Sequence, residues 1–309
     1  MRITPNTTSA NALYNIQQGR EKLDRLQELT SSGQKVNRPS DKPISAGVLL
    51  DIGDRLKTTD QFSSNISKAK TWVNFSSTAL TGITDILNEV GKILNTMSGS
   101  SDPSQRQNAK EQLGDLKKQI VEMANSRMGD QFIFGGAINN IEPFNKTNND
   151  YAGDSTQLTI EIAPGITQAM SITGDRLILG KTTPPAVADE LPDYGDTDIL
   201  KTIDDLIIAV GDDTTPSDAA GITQGRLAIQ DGIKQVNYAI SDNLSRLTRL
   251  DNMSKLNENN KNTLQSIVGD IQNVDYAQLG VELNNQKNAF EASLAATAKI
   301  SQLSMLDFM

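Results

Sequence analysis

Neither cysteine nor histidine occurs in this chain of 309 residues. The first absence excludes disulfides and thiolate metal sites. With imidazole missing as well, most transition-metal sites and the usual nucleophile–base pairs are unavailable, so the sequence calls for no cofactor and no catalytic residue. Aromatic residues make up only 4% of the chain, with a single tryptophan, as suits long helices with narrow apolar seams. No basic run appears and the formal charge is −9. A nucleic-acid partner is therefore not expected, because a phosphate lattice needs a clustered basic face. No apolar run approaches membrane-spanning length. Met1-Arg2 is not followed by an apolar core, so no Sec-type signal peptide is expected.

Proline is also missing between Pro43 and Pro103, and the strongest pattern of the chain lies in that interval. Ile66, Ala69, Val73, Leu80, Ile83, Leu87, Val90, Leu94 and Met97 step by threes and fours, with one polar slot at Ser76. That is the seam of a helix packed along another helix over several heptads, and it predicts one helix from about Ile44 to Thr96. Before it, a polar lead (Thr4 to Ala12) precedes an amphipathic helix carrying Leu13, Ile16, Leu23, Leu26 and Leu29. That helix stops at Gly33, a suitable left-handed C′ residue. Residues 34–43 are extended or turn-like, since Pro39 and Pro43 bias their predecessors away from helix.

Ala109, Leu113, Leu116, Ile120 and Met123 predict a second helix after Pro103, folded back as a hairpin. From Gln131 the character becomes strand-like. Strands are predicted at 131–134, 141–144, 157–162, 167–173 and 176–179, with a turn at Pro164-Gly165. Helix returns at 197–210 and over about Ser217 to Thr263, through Ile222, Ile229, Ile233, Val236, Ile240, Leu247 and Leu250. The last helix starts at Asp275, with Tyr276, Leu279, Leu283, Phe290, Leu294, Leu303 and Leu306 as its apolar positions and few charges elsewhere. The fold class is mainly α with a small β insertion: an elongated antiparallel helical bundle or coiled coil built from both chain ends. The terminal helices have no local partner, so the first pairs with the last. A two-helix unit buries little surface, which makes this an assembly protein by architecture.

Four motifs carry a family resemblance. Ser31-Ser32-Gly33-Gln34-Lys35-Val36-Asn37-Arg38-Pro39-Ser40-Asp41-Lys42-Pro43 resembles the proline-bearing turn of the flagellin superfamily, with Lys42 where a second Asp is usual. Met128 to Gly136, followed by Pro143-Phe144, is similar to the family's Ile-Phe-Gly-Gly segment. Asp275-Tyr276-Ala277 and the close from Glu291 to Met309 complete the set. The proline pair and the C-terminus resemble the hook–filament junction members more than filament flagellins, which end in Leu-Leu-Arg. The resemblance covers roughly residues 1–145 and 265–309. It implies a structural adaptor of the bacterial flagellum, exported unfolded by type III secretion with the help of an export chaperone. Its partners would be hook-associated protein 1, flagellin and further copies of itself in a ring. It also implies a terminal inner coiled-coil domain (1–44 plus 270–309), a helical packing domain (45–146 plus 196–269) and an outer β domain (147–195). A flagellin-type filament subunit is the alternative.

Candidate assembly residues are then Leu13, Ile16, Leu23, Leu26, Tyr276, Leu279, Leu283, Phe290, Leu294, Leu303 and Leu306. Arg38, Pro39, Ser40, Asp41 and Pro43 form the candidate inter-domain turn. Gly135-Gly136 reads as a turn, not a phosphate loop, because no Lys-Ser/Thr follows. Asp204-Asp205 and Asp212-Asp213 read as solvated acids, and Trp72 as packing beside the seam. Glu161 and Asp175 lack partners spaced for acid–base work. Terminal helices with so little to bury should fray in the monomer. Mild proteolysis is expected to trim the chain back toward about residues 45 and 265, and equal protection of the ends, seen by mass spectrometry, would show the terminal pair to be stable alone.

Overall fold

The computed structural model describes residues 5–97, 102–146, 148–181, 193–211 and 219–306. Among these residues seven helices and four strands follow in order: α1 (Pro5–Ser32), α2 (Pro43–Met97), α3 (Pro103–Ala124), β1 (Arg127–Met128), β2 (Gln131–Phe132), β3 (Thr159–Ala163), β4 (Ile166–Ala169), α4 (Gly174–Leu177), α5 (Ile199–Gly211), α6 (Ala219–Gln272) and α7 (Tyr276–Leu306). Prolines open α1, α2 and α3, where a missing N–H costs nothing. The helix α1 starts at Pro5, eight residues before the first predicted apolar position, so the polar lead is helical. Asp102 caps α3 by accepting from the Ser104 amide at 2.9 Å.

Two compact units divide the chain: residues 1–58 with 259–309, and residues 59–258. The second unit holds the core. Ile66, Ala69, Val73, Leu80, Ile83, Leu87, Val90 and Leu94 are all buried, as the α2 seam requires. They share one cluster with Leu113 and Ile120 of α3, Ile199, Ile203 and Leu206 of α5, and Ile229, Val236 and Leu250 of α6. Burying each such leucine or isoleucine contributes about 1.5–3 kcal/mol, so this seam alone outweighs any surface pairing.

The β insertion is smaller than the sequence suggests. Two antiparallel hairpins form, β1 with β2 and β3 with β4. Gly165 turns the second at φ +70°, and the Glu161 carboxylate accepts from its amide at 2.9 Å. Residues 141–144 make only a bridge from Phe144 to Tyr151. The strand predicted at 176–179 is instead the buried helical turn α4. Gly174 lies against the Phe144 and Tyr151 rings, where a Cβ would be 2.6 Å from Phe144, and that close approach favours a turn over a pleated strand. Ile162, Ile172, Leu177 and Ile178 join the helical core.

Side-chain amides fasten these irregular segments, since buried backbone groups need partners. Asn125 donates to the Phe144 carbonyl at 2.8 Å and accepts from its amide at 2.9 Å. Gln235 of α6 donates to the Leu177 and Thr197 carbonyls and accepts from the Thr197 amide. Arg246, buried, donates to the Ser171 carbonyl at 2.8 Å and pairs with Asp242 at 2.7 Å, and Asp242 also accepts from the Tyr194 hydroxyl at 2.7 Å.

Burial pushes the Tyr194 phenol far above the ordinary tyrosine range, with Asp242 adding to the shift. It does the same to Tyr151, with Asp175 adding. Both phenols stay protonated when folded, whereas in the unfolded chain they ionise near the ordinary value of 10.0. The unfolded state then binds fewer protons, so stability falls as pH rises. The contribution is whole below pH 10.0 and is lost above it. Denaturant midpoints followed by circular dichroism should therefore drop from that pH upward, and the drop should shrink in Tyr151→Phe.

Candidate assembly surface on the terminal helix pair

The first unit is built on the pairing of α1 with α7. Gln34 bridges to Asn273, while Gly19 meets Gln286 and Phe290. Rising numbers in one helix thus meet falling numbers in the other, and the pair is antiparallel. On α1 the half-buried positions include Ala12, Ile16, Gly19, Leu23 and Leu26; on α7 the inward stripe is Leu279, Leu283, Gln286, Phe290, Ser293 and Thr297. Both stripes step by fours and threes, as two packed helices require.

Gly19 is the close-approach point. A Cβ there would stand 3.2 Å from the Phe290 ring, and the Gln286 amide donates to the Gly19 carbonyl at 3.1 Å. Reading the sequence for apolar positions alone missed both Gly19 and Gln286. The signal was present in the spacing, because the steps 16, 19, 23, 26 and 283, 286, 290 pass through them.

Among the predicted assembly residues, Ile16, Leu23, Leu26, Leu279, Leu283 and Phe290 come together in this seam. Leu13, Tyr276 and Leu294 do not: they are 59%, 61% and 43% exposed. Leu294 lies off the stripe that its hydrophobicity suggests, because Ser293 occupies the inward position. Leu283 faces α1, so a charge there would break the pair itself instead of a contact formed on assembly. The side chains of Leu303 and Leu306 lie outside the described residues, as does Asp212-Asp213.

The turn from 33 to 43 closes the pair. Gly33 takes φ +69° and its amide donates to the Leu29 carbonyl at 2.9 Å, ending α1 as a left-handed C′ residue. The Lys35 amide donates to the Gln272 carbonyl at 2.6 Å and the Val274 amide to the Gly33 carbonyl at 3.2 Å, clamping the α1 exit to the α6–α7 junction. The Asp41 carboxylate accepts from the Asn37 and Arg38 amides at 3.3 and 3.0 Å. The Arg38 guanidinium reaches Glu28 at 3.3 Å, while Arg25 approaches Asp41 at 3.8 Å. Arg38 thus contacts Asp41 through its backbone and braces the turn through Glu28. Exposed ion pairs of this kind contribute about 0–1 kcal/mol. Pro39 and Ser40 are exposed, and Pro43 opens α2.

Little of this unit is fully buried. Its only apolar side chains in that class, among the described residues, are Val36, Ala46, Ile52 and Leu279. Tyr14, Ile44, Leu50 and Val281 are exposed, as are Leu13 and Leu294. Among the described residues no cluster of carboxylates could hold a metal ion, and no helix is long and apolar enough to cross a membrane. Asp204, read as solvated, pairs with Lys117 at 2.6 Å and accepts from Asn149. Asp175, buried, accepts from the Ser155 hydroxyl. Trp72 is fully buried in the core. Gly135-Gly136 is a turn packed on Asp154, whose carboxylate accepts from the Ala137 amide at 2.8 Å.

Comparison with known proteins follows the same lines. Residues 3–137 match the bacterial flagellin N-terminal helical region. The flagellar hook-associated protein 3 of Salmonella typhimurium is 23% identical over 251 residues, covering 80% of this chain and 77% of that protein. A solved structure from Vibrio parahaemolyticus, assigned to the flagellar hook-associated proteins, superposes with a TM-score of 0.65 at 23% identity, over 75% of this chain and all of that one. The flagellar junction protein FlgL from Legionella pneumophila gives a TM-score of 0.58 at 17% identity, over 73% of this chain and 99% of that one.

Replacing Gly33 with alanine should cost about 1–2 kcal/mol, since a Cβ at positive φ meets the carbonyl. The exposed Tyr276 hydroxyl, 2.5 Å from such a Cβ, can swing away. Amide exchange should accelerate at Lys35 and Val274 and stay unchanged at Ile178.

Proposed function

We propose that this chain, which carries the flagellin N-terminal helical region and the fold of the hook-associated protein structures, is a structural adaptor at the hook–filament junction of the bacterial flagellum. It would be exported to the flagellum, assemble on hook-associated protein 1 as a ring of identical subunits, and template flagellin. An export chaperone would escort it before assembly.

The carrying observation is the terminal unit. Helices from both ends of the chain pair through one stripe each, while Leu13, Tyr14, Val281 and Leu294 stay exposed on the remaining faces. Apolar side chains held on ordered helices gain by being covered by a neighbouring subunit. The terminal helices, 1–44 and 270–309, are the assembly elements of this reading. Residues 45–146 with 196–269 form its packing domain and 147–195 its distal β domain. Leu13, Tyr276, Leu294, Leu303 and Leu306 are proposed as intersubunit contacts; Ile16, Leu23, Leu26, Leu279, Leu283 and Phe290 hold the pair that presents them. A filament subunit would use the same surface, and the two readings part on where flagellin goes.

In a strain lacking this protein, flagellin should be exported yet accumulate as free monomer in the medium. Complementation with Leu294→Asp should restore export of the protein but not its incorporation, because the charge would be buried only on assembly. Normal filaments in the deletion strain would overturn the junction reading. Loss of filaments without shed flagellin would favour the filament-subunit reading.

A further inference from the structure

Gly135-Gly136 is packed more tightly than a plain turn requires. A Cβ at Gly135 would stand 2.6 Å from the Ile138 carbonyl, one at Gly136 would overlap the Asp154 carbonyl, and one at Gly153 would stand 2.6 Å from the Gly135 carbonyl. Hydrogen bonds join the same backbones. The Asp154 amide donates to the Gly135 carbonyl at 3.1 Å, and the Gly174 amide to the Phe134 carbonyl at 2.8 Å. The Tyr151 hydroxyl lies 2.9 Å from the Phe134 carbonyl and 3.0 Å from that of Asp154, so its one hydrogen is shared between them. The Asp154 carboxylate accepts from the Ala137 and Thr156 amides at 2.8 and 3.1 Å. Asp154 and Gly174 flank residues 155–173, the stretch that contains β3 and β4. Both ends of that stretch are thus fastened to Phe134 and Gly135, and the Ser155 hydroxyl ties one end to the other by donating to Asp175.

The bonds are not independent. One carbonyl, that of Phe134, serves two donors, one hydroxyl serves two acceptors, and Asp154 engages through its amide, its carbonyl and its carboxylate. Hydrogen bonds linked in this way strengthen one another, and backbones with no room between them pass a shift at one point to the next. Little apolar area is at stake, because the glycines carry no side chain and Ala137, Ser155 and Thr156 are exposed. Opening here therefore costs less than opening the α2 seam. We propose that Phe134, Gly135 and Gly136 form the root of the β3–β4 stretch, a joint that clamps both of its ends and opens as one unit, separately from the helical core. The Tyr151 hydroxyl is its latch. The Ile-Phe-Gly-Gly segment then has an internal task, since its carbonyls are spent on this chain.

Amide hydrogen exchange of the full-length protein tests this through residues that a substitution does not touch. Tyr151→Phe keeps the ring against Phe144 and removes only the hydroxyl. It should accelerate exchange about three- to tenfold at Gly174 and Asp154, and equally at Ala137, which Tyr151 does not contact. Asp154→Ala removes the carboxylate and should accelerate Gly174 by a similar factor, although that carboxylate bonds only the Ala137 and Thr156 amides. Val73 and Leu87, in the α2 seam, should exchange as in the parent in both variants. Acceleration confined to the amides each removed group contacts would mean separate bonds and no joint. Equal acceleration at Val73 and Leu87 would mean that the region opens only with the whole unit. No change at Gly174 in either variant would remove Tyr151 and Asp154 from any such role. Each of these three results overturns the proposal.

Discussion

Two helices lying side by side can bury one stripe each, and that limit governs the terminal unit. The α1–α7 seam spends its inward positions on Ile16, Leu23, Leu26, Leu279, Leu283 and Phe290, with Gly19 admitting the Phe290 ring. Four of six inward positions on α7 run through Gln286, Phe290, Ser293 and Thr297, and three of these are polar. Such a seam orders the helices without isolating them from water. What it leaves outside is apolar again, at Leu13, Tyr14, Val281 and Leu294. Most of a helix's stability comes from packing its amphipathic face, so the pair depends on mutual contact first and on further cover second. An element with that hierarchy suits a subunit that completes its fold in an assembly.

The second unit is governed by the opposite condition. Its α2 seam is buried from Ile66 to Leu94 and half-buried at Met97, and the irregular residues of the insertion are held by polar clasps instead of long strands. Asn125, Gln235 and Arg246 each satisfy backbone groups more than ten residues away in sequence. This explains how hairpins of two to five residues per strand can persist, since isolated two-stranded sheets are marginal. The buried carboxylate of Asp175 and the paired one of Asp204 are partners of Ser155 and Lys117.

Legibility followed the range of the interactions. The boundaries of α2, its seam and the Gly33 stop were readable because proline, periodicity and left-handed glycine act locally. The polar lead before Leu13 was misjudged because the apolar stripe begins later than the helix; Pro5 at the first position was the better marker. The segment 176–179 looked like a strand from its own residues, but the Phe144 and Tyr151 rings over Gly174 decided its conformation. Leu294 drew attention by hydrophobicity, whereas the geometry of the pair gave the inward place to Ser293. Gln235 and Arg246 were invisible because their partners are carbonyls, which carry no sequence signature.

Polar residues inside the two seams have different consequences. In the α1–α7 pair, Gln286 bonds a carbonyl exposed at a glycine and lies only half-buried, so water can replace it at small cost. In the second unit, Ser76 and Asn243 are completely buried, where an unmet hydrogen bond costs far more. The first arrangement tolerates fraying and re-pairing, and the second tolerates neither. Residues 59–258 can thus persist as a defined body while the terminal helices remain available to neighbours. Such a division of stability is what a subunit needs if it must travel as a monomer and harden only where it is built in.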